Sequence, residues 1–406
     1  MGVKAVVLGR NYIARLGMIR AVGMAGYEVH VIKTDPYKKS EKKKDRIDGS
    51  SKYITAYYCM RESDDEIVSF ILQRFGNSSD PVILIPTDDY NASVIDSHLD
   101  QFGPPFLYPH IGKMQGEVIR HMDKGLQKQL ALASGLNVAA GWTCTFDGER
   151  YTIPADVAFP CFIKPQIGYR GTKKMMAKCD SMAELRAVLD EVGSEKSGEK
   201  RGCDILVEEY IEIEHEFDVP GLANGSQVVL PGVIEKGIMH LGVTGSGTVK
   251  SFEKYGDVQK CLQDFIGKLG FIGLVDVELY ESRGKMYFNE LNMRFSASGY
   301  ALTGMGVNLP ARLIELLLSD GSRSAEEETI SEEKSFASEK PCFQEYAVGK
   351  LSWEELWKTI NSADFSFLKL DKDPEPFRNF KRMAEFRRMA SRVSKPLKKI
   401  LSRMRG

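Results

Sequence analysis

The chain reads Val275-Asp276-Val277-Glu278-Leu279-Tyr280 and, after a Ser282-Arg283-Gly284 turn, Met286-Tyr287-Phe288-Asn289-Glu290-Leu291-Asn292-Met293-Arg294. Two apolar runs around a short turn predict a β-hairpin. Because side chains alternate along a strand, Asp276 and Glu278 lie on one face of the first strand. Glu290 and Asn292 likewise lie on one face of the second strand. Carboxylates that face a core are costly unless a cation neutralises them, and oxygen ligands of this kind suit Mg²⁺. The hairpin therefore predicts a metal site, with a solvated face of charges as the alternative.

The first ligand of this site is ambiguous, because Asp276 and Glu278 share a face. At this point either of them could join Glu290 and Asn292 as a metal ligand. Arg294 follows two residues later, and its planar guanidinium can bind a carboxylate or an acyl phosphate.

Two lysines upstream of the hairpin could bind phosphate. Lys124 opens a helix that Asp123 caps, predicted over residues 124–134, and Lys164 ends the strand predicted over residues 158–163. Ammonium groups that face a cavity need an anion, and one polyphosphate would satisfy both. Each lysine taken alone is equally typical of a surface.

The turn after Lys164 contains Gly168 and Gly171, whose backbone N–H groups could curl around phosphate oxygens. The Walker A pattern is absent, and an ordinary hairpin turn is the alternative.

A strand further on becomes acidic where it leaves the core, at Glu208, Glu209, Tyr210 and Ile211, and Glu216 follows. Backbone groups at such a hinge, with a carboxylate accepting ribose hydroxyls, could hold adenosine. A solvated strand end would look the same.

The first hundred residues alternate between strands and helices: Val3–Gly9, a helix from Tyr12, the strand Glu28–Ile32, a helix over Asp65–Phe75 and the strand Val82–Ile85. This order predicts a mainly parallel sheet with ligands at the carboxyl ends of its strands. The turn after the first strand lacks G-x-G-x-x-G, so a dinucleotide site is not expected. Asp88 and Asp89 could face a substrate amine or cap a turn.

Composition excludes several classes. The 406 residues are 43% hydrophobic and 27% charged, and 55 Lys and Arg nearly balance 56 Asp and Glu, so no overall basic field favours nucleic acid. No apolar run reaches the ~18 residues of a membrane span. Seven scattered cysteines without a C-x-x-C pair argue against disulfides and zinc, and no signal peptide is recognisable. We therefore expect reduced thiols and a cytoplasmic protein.

Taken in order, these features resemble the ATP-grasp superfamily over residues 1 to about 320. The series is Asp123-Lys124, Phe162-Ile163-Lys164-Pro165 with its glycine turn, Val207-Glu208-Glu209-Tyr210-Ile211 with Glu216, Glu278, and Glu290-Leu291-Asn292-Met293-Arg294. Where the family has Asn-Pro-Arg, this chain has Asn292-Met293-Arg294, so the acting Asn and Arg side chains are retained. Within the superfamily the chain is similar to carboxylate-amine ligases of the D-aspartate ligase type, through Ile85-Pro86-Thr87-Asp88, Ser51-Lys52-Tyr53 and Lys372-Asp373-Pro374-Glu375-Pro376.

The resemblance implies an α/β chain with the ATP-grasp fold. An N-terminal parallel-sheet domain would span residues 1–112, two α+β lobes clasping ATP residues 113–320, and an acidic linker with a basic C-terminal region residues 321–406. The resemblance places Lys124 and Lys164 on the ATP phosphates, Glu208, Glu209 and Ile211 on adenine, Glu216 on ribose, and Glu278, Glu290 and Asn292 on Mg²⁺ or Mn²⁺.

The activity it implies joins a carboxylate to an amine. ATP would convert the carboxylate to an acyl phosphate, the amine would displace phosphate, and Arg294 and Lys164 would act in catalysis. A D-aspartate ligase-like enzyme would serve the synthesis of cell-wall (peptidoglycan) precursors. Two alternatives stay open: a bicarbonate-using enzyme resembling biotin-dependent carboxylases or carbamoyl phosphate synthases, and a non-catalytic ATP-binding module.

The last segment of the chain, Pro376–Gly406, carries eleven Lys and Arg but one acid, Glu385. Apolar residues recur among them at helical spacing, which is typical of a basic amphipathic helix. One hypothesis is that this helix docks on the inner membrane surface; a helix packed on the acidic linker or a frayed terminus are the alternatives. The Ser- and Glu-rich stretch Arg323–Lys340 is expected to be an exposed linker. Neither the substrates nor the oligomeric state follows from the sequence.

Overall fold

The fold is described from a computed structural model, which describes residues 2–34, 45–60, 63–170, 175–194, 203–320 and 329–403. Three large β-sheets, a separate two-stranded hairpin, the helices and their connections make up these residues. Each sheet is formed by a different stretch of the chain, apart from short strands that cross over.

The N-terminal sheet is entirely parallel, in the order β3-β2-β1-β4-β5. β1 and β4 are apolar and buried on both faces because helices cover the sheet on each side. This confirms the parallel sheet expected from the alternating pattern. Its elements are β1 (Lys4–Gly9), α1 (Tyr12–Met24), β2 (Glu28–Thr34), β3 (Ile54–Met60), α2 (Asp64–Phe75), β4 (Val82–Pro86), α3 (Asp89–Asp96) and β5 (Phe106–Leu107).

A connecting region leads to a second, antiparallel sheet, in the order β11-β10-β12-β8-β9. The connection comprises β6 (His110–Ile111), α4 (Glu117–His121), α5 (Lys124–Ala133) and β7 (Asn137–Val138). The sheet and its helix comprise β8 (Gly141–Phe146), β9 (Tyr151–Thr152), β10 (Cys161–Pro165), β11 (Ala177–Cys179), α6 (Met182–Ser194) and β12 (Ile205–Glu209).

The third sheet is the largest, with ten strands. The predicted hairpin lies toward one edge of this sheet: β19 pairs on one side with β13 and on the other with β20, which pairs with the edge strand β7. The elements are β13 (His215–Asn224), β14 (Val228–Val229), β15 (Val233–Lys236), the separate hairpin β16 (Met239–His240) and β17 (Val243–Thr244), β18 (Ser246–Lys250), α7 (Gly256–Leu269), β19 (Phe271–Ser282), β20 (Lys285–Asn292), α8 (Tyr300–Gly304) and α9 (Leu309–Leu318).

The C-terminal region extends this sheet and covers one end of the N-terminal domain. It comprises β21 (Lys334–Ala337), α10 (Glu339–Ala347), α11 (Trp353–Ser362), β22 (Phe365–Ser366) and α12 (Glu375–Arg403). Within the described ranges no helix is both long and apolar enough to cross a bilayer.

The expectation that Arg323–Lys340 is an exposed linker is wrong for the second half of that stretch. β21 pairs with β18, and Phe336 is buried with its ring stacked on Phe367 at 5.0 Å. A short strand that contributes two buried residues is too brief to show periodicity among Ser and Glu. Residues 321–328 lie outside the described part of the chain.

A buried ion pair fastens the C-terminal region to the N-terminal domain. Arg20 of α1 donates from Nε to Asp373 Oδ2 at 2.9 Å, and its terminal nitrogens donate to the carbonyls of Phe367, Leu368 and Asp373. The same carboxylate accepts from Ser51 Oγ at 2.8 Å and from Lys52 N at 2.9 Å. Both partners are almost completely buried, so this contact explains why the phrases around Ser51 and Asp373 occur together.

Asp373→Ala should lower the free energy of unfolding by about 3–5 kcal/mol, because it leaves the Arg20 guanidinium buried without its counterion. The measurement is urea denaturation followed by circular dichroism. Lys372→Ala, at the exposed neighbouring position, is the matched control and should change stability little. Equal stabilities of the two variants would contradict the role of Asp373.

Glu339, at the start of α10, predicts a pH dependence of stability. Its buried carboxyl group accepts from Leu368 N, and burial raises its pKa from 4.5 to about 7. The folded protein therefore retains a proton that the unfolded chain releases between these values, so this contribution to stability is lost as the pH rises toward 7. We expect wild type to lose roughly 2–3 kcal/mol relative to Glu339→Gln between pH 5 and pH 8. Parallel pH profiles of the two proteins in urea denaturation would refute this.

Candidate active site

A cavity of about 600 Å³ lies between the second sheet and the part of the third sheet that contains the hairpin. The second sheet contributes side chains from β10 and β12, the third sheet from β13, β19 and β20, and α5 forms one wall. Of the residues predicted to bind ATP or metal, those that line the cavity are Lys124, Lys164, Gly168, Glu208, Glu209, Ile211, Glu216, Glu278 and Glu290. Gly171 lies outside the described residues.

The start of α5 is held against both sides of the cavity. Asp123 caps the helix by accepting from Leu126 N at 2.9 Å, as predicted, and its other oxygen accepts from Gln166 Nε2 at 2.6 Å. Lys124 N donates to Gln166 O, which ties the helix to the turn that contains Gly168. The Lys124 ammonium contacts Glu290 Oε2 on β20.

Gln127, which the sequence analysis did not single out, fixes α5 to β20. Its amide donates to Leu291 O at 2.8 Å and to His121 O at 2.7 Å, and its oxygen accepts from Leu291 N at 2.9 Å. The side chain is buried. Lys124 and Glu290 therefore face each other from two elements that cannot slide independently.

Two ammonium groups share one carboxylate deeper in the cavity. Lys164 Nζ lies 2.9 Å from Glu208 Oε2, and Lys128 Nζ contacts Glu208 Oε1. Burial, with Lys164 as a neighbouring cation, lowers the pKa of Lys128 to about 8, although Glu208 opposes this shift. Lys128 lies one helical turn after Lys124, a spacing that could have pointed to it in the sequence.

A bulge brings Asn289 into the site. In the hairpin Glu278 lies opposite Glu290 and Leu279 lies opposite Phe288, so Asn289 is an extra residue on β20. Lys164 Nζ donates to Asn289 Oδ1 at 2.7 Å. Strict alternation would have placed Asn289 on the opposite face from Glu290, and for that reason the sequence did not indicate it.

The hairpin carries its carboxylates on one face, as predicted, with Asp276 opposite Asn292 and Glu278 opposite Glu290. Glu278 lines the cavity, whereas Asp276 is 2% exposed and does not. Burial raises the pKa of Glu278 to about 7, and the Glu290 carboxylate adds to the shift against the opposing effect of Lys236. Burial works to raise the pKa of Glu290 too, but Lys124 and Lys164 lower it to about 2.

Lys236, on β15, is a further cation that sequence reasoning missed. Its ammonium lies 2.8 Å from Asp218 Oδ1, 3.7 Å from Glu278 Oε2 and 3.8 Å from Glu216 Oε2, and its side chain is 2% exposed. Burial alone would lower its pKa, but the three carboxylates raise it. Lys236 comes from a strand two positions away from β19, so no local pattern indicated it.

Arg294 lies beside the cavity rather than in its wall. Its Nε donates to Asp89 Oδ1 at 2.9 Å, and a terminal nitrogen donates to Asn292 Oδ1 at 2.9 Å. Asp89, at the start of α3, lines the cavity, and Asp88 caps the same helix by accepting from Asn91 N. The N-terminal domain thus supplies one wall of the site.

The donor set fits a hard divalent cation. Seven carboxylates interact with only five cationic side chains, and they are Asp89, Glu208, Glu216, Asp218, Asp276, Glu278 and Glu290 against Lys124, Lys128, Lys164, Lys236 and Arg294. Within the described ranges no three His, Cys, Asp or Glu side chains converge as a ready metal cluster. The predicted set has two carboxylates and one amide, which leaves coordination positions for phosphate oxygens and water.

Comparison with known proteins agrees with this architecture. Residues 130–307 match the family model described as the ATP-grasp domain. The chain is 25% identical over 206 residues to the carbamoyl phosphate synthase large chain of Gemmatimonas aurantiaca, covering 49% of this chain and 18% of that protein. It is 26% identical over 149 residues to the formate-dependent phosphoribosylglycinamide formyltransferase of Wolinella succinogenes, covering 36% and 37%. The matches thus span well under half of either relative.

Two solved structures share the fold. The L-amino acid ligase from Bacillus licheniformis aligns with a TM-score of 0.57 at 12% identity, covering 82% of this chain and 78% of that one. The biotin carboxylase domain of 2-oxoglutarate carboxylase from Hydrogenobacter thermophilus, in complex with MgADP and bicarbonate, aligns with a TM-score of 0.62 at 17% identity, covering 82% and 73%. The expected ATP-grasp fold is confirmed.

Gln127→Ala should lower the free energy of unfolding by at least about 2 kcal/mol, because it removes the partners of buried backbone groups at Leu291. Urea denaturation measures the change. Gln129→Ala, at an exposed position of the same helix, should leave stability within about 0.5 kcal/mol of wild type. A Gln127→Ala variant as stable as this control would show that α5 is held by other contacts.

Proposed function

We propose that this chain, of which residues 130–307 match the ATP-grasp domain model, is an ATP-dependent ligase that joins a carboxylate to an amine. The observation that supports this most strongly is the pairing of the Glu278 and Glu290 carboxylates, which line the cavity, with lysines from three other elements. A phosphoryl-transfer site needs both an anionic metal pocket and cations for phosphate oxygens, and this cavity holds both.

The nucleotide would lie with its base at the end of β12 and its phosphates toward the hairpin. Glu208, Glu209 and Ile211 would contact adenine, and Glu216 the ribose. Glu209 has a structural task as well, since Oε1 accepts from Ala140 N at 3.1 Å and fixes the end of β12 against β8. The turn with Gly168 would present backbone N–H groups to phosphate.

Lys124 and Lys164 would bind the phosphate oxygens by exchanging their present partners. Lys124 would leave Glu290, which then joins Glu278 and Asn292 as a ligand of Mg²⁺ or Mn²⁺. Lys164 would leave Asn289 while Lys128 continues to neutralise Glu208. The metal, when bound, supplies positive charge to the phosphate oxygens during transfer.

The carboxylate substrate would attack the γ-phosphate and form an acyl phosphate, with ADP as the leaving group. The amine would then attack the acyl carbon, form the amide and release phosphate. Arg294 would steady the acyl phosphate and the oxyanion that develops, because Asp89 and Asn292 hold its guanidinium in place. Activation is needed because an ionised carboxylate is a poor electrophile.

A bicarbonate-using enzyme is the second candidate. It is favoured by the match to carbamoyl phosphate synthase and by the bicarbonate named in the carboxylase complex. The Arg294 guanidinium would suit bicarbonate as well as a carboxylate, since both are planar anions. This candidate predicts ADP release that bicarbonate stimulates.

The narrower proposal is a ligase of the D-aspartate type that acts on cell-wall precursors. This proposal rests on short sequence motifs whose residues make structural contacts. Thr87 Oγ1 donates to Leu8 O, Asp88 caps α3, and Asp373 binds Arg20. Substrate choice must therefore be measured.

The test is ADP release from Mg²⁺-ATP with hydroxylamine across a panel of amino acids headed by D-aspartate. Hydroxylamine replaces the unknown amine and traps an acyl phosphate as a hydroxamate. We expect hydroxamate with one carboxylate and a loss on the order of 100-fold in Glu290→Ala. Glu354→Ala, at an exposed position of α11, should retain full activity.

Two results would overturn the ligase. One is bicarbonate-stimulated ADP release without hydroxamate; the other is ATP binding without turnover on any carboxylate tested, which would favour a non-catalytic module. Glu290→Gln keeps the shape of the side chain, and circular dichroism of both variants separates lost chemistry from lost folding.

A further inference from the structure

The C-terminal helix α12 has two apolar faces that follow each other along its length. The first face packs on the protein: Phe380 and Ala384 are fully buried, and Phe377 and Met383 pack partly against the same cluster, which includes Leu356 of α11. This half of the helix is anchored.

The second apolar face points away from the protein. Phe386 is 68% exposed and Met389 is 59% exposed. Phe386 follows Ala384 by two residues and Phe380 by six, and at 3.6 residues per turn both intervals lead to the far side of the helix. The helix continues to Arg403, and intervals of four, four and three residues place positions 393, 397 and 400, which are Val, Leu and Ile, in line with Phe386 and Met389.

Positive charge accompanies this second face. Between positions 387 and 403 the chain has seven Lys and Arg and no acid; they are Arg387, Arg388, Arg392, Lys395, Lys398, Lys399 and Arg403. The Arg388 guanidinium lies 4.3 Å from the centre of the Trp353 ring, so the base of this segment is tied to α11. The whole chain has a net charge of only −1, which makes the segment a local concentration of charge.

We propose that the segment 386–403 of α12 binds an anionic lipid surface. The apolar line would enter the boundary between headgroups and acyl chains, and the flanking cations would lie at the level of the headgroups. A nucleic acid would match the cations but offers no apolar layer for Phe386, Met389 and the positions in line with them. The proposal goes beyond the ligase activity and does not depend on it, because none of the residues that line the cavity belongs to α12.

The test is sedimentation of the full chain with vesicles of phosphatidylcholine containing phosphatidylglycerol, against vesicles of phosphatidylcholine alone. We expect binding to the anionic vesicles only, and a loss of binding as salt screens the cations. The double variant Phe386→Gln, Met389→Gln should bind at least about tenfold more weakly, because it removes apolar area while keeping residues that favour a helix.

Met114→Gln is the matched control, since Met114 is 54% exposed elsewhere on the surface, and it should bind as wild type does. Thermal denaturation of the double variant checks that α12 stays anchored through Phe380 and Ala384. Equal binding to both vesicles, no binding, or binding unchanged in the double variant would overturn the proposal. So would tighter binding to a duplex oligonucleotide at the same ionic strength, which would make nucleic acid the partner.

Discussion

The site depends on one constraint: carboxylates that face each other across the β19–β20 hairpin must be neutralised where water is largely excluded. Glu278 and Glu290 lie directly opposite each other, and Asp218 adds to the negative field that raises the pKa of Glu278. Like charges in such surroundings are tolerated only with counter-charges. Lys124 arrives from α5 and Lys236 from β15, whereas Arg294 directly follows β20, so the hairpin determines where two further elements must lie.

The cationic side chains around the site are fewer than its carboxyl groups. This difference bears on what the site can bind. Glu290 is held ionised by Lys124 and Lys164, whereas Glu278, 3.7 Å from its nearest cation, has a pKa raised to about 7. A pocket whose carboxyl groups outnumber its ammonium groups is suited to exchange these partners for a metal and a polyphosphate. The same cluster thus accounts for stability without ligand and for a capacity to bind ligand.

The N-terminal and C-terminal regions support the site from outside. Asp89 brings α3 of the parallel sheet to Arg294, at the carboxyl end of β4 where such sheets collect ligands. Arg20 and Asp373 tie the same sheet to the C-terminal region, and β21 joins that region to the large sheet. The three parts of the chain therefore form one framework around the cavity, and α12 extends from it with an exposed apolar face.

The sequence by itself determined the parallel sheet, the capped helix at Asp123, the hairpin and its acidic face, because these depend on periodicity and on residues close together in the chain. The resemblance to the ATP-grasp superfamily, rather than any local pattern, predicted that Lys124, Lys164, Glu208, Glu216, Glu278 and Glu290 share one site, and all six line the cavity. Only the tertiary structure decided that Lys236 neutralises Glu278, that Gln127 locks α5 to β20, and that Asp89 holds Arg294, since each contact joins segments far apart in the chain. Asn289 lies in the site because a bulge breaks the alternation of β20. The packed face and the exposed face of α12 could be told apart only from the contacts of its first half. Local patterns follow from backbone geometry, whereas the partner of a buried charge depends on which distant element folds against it.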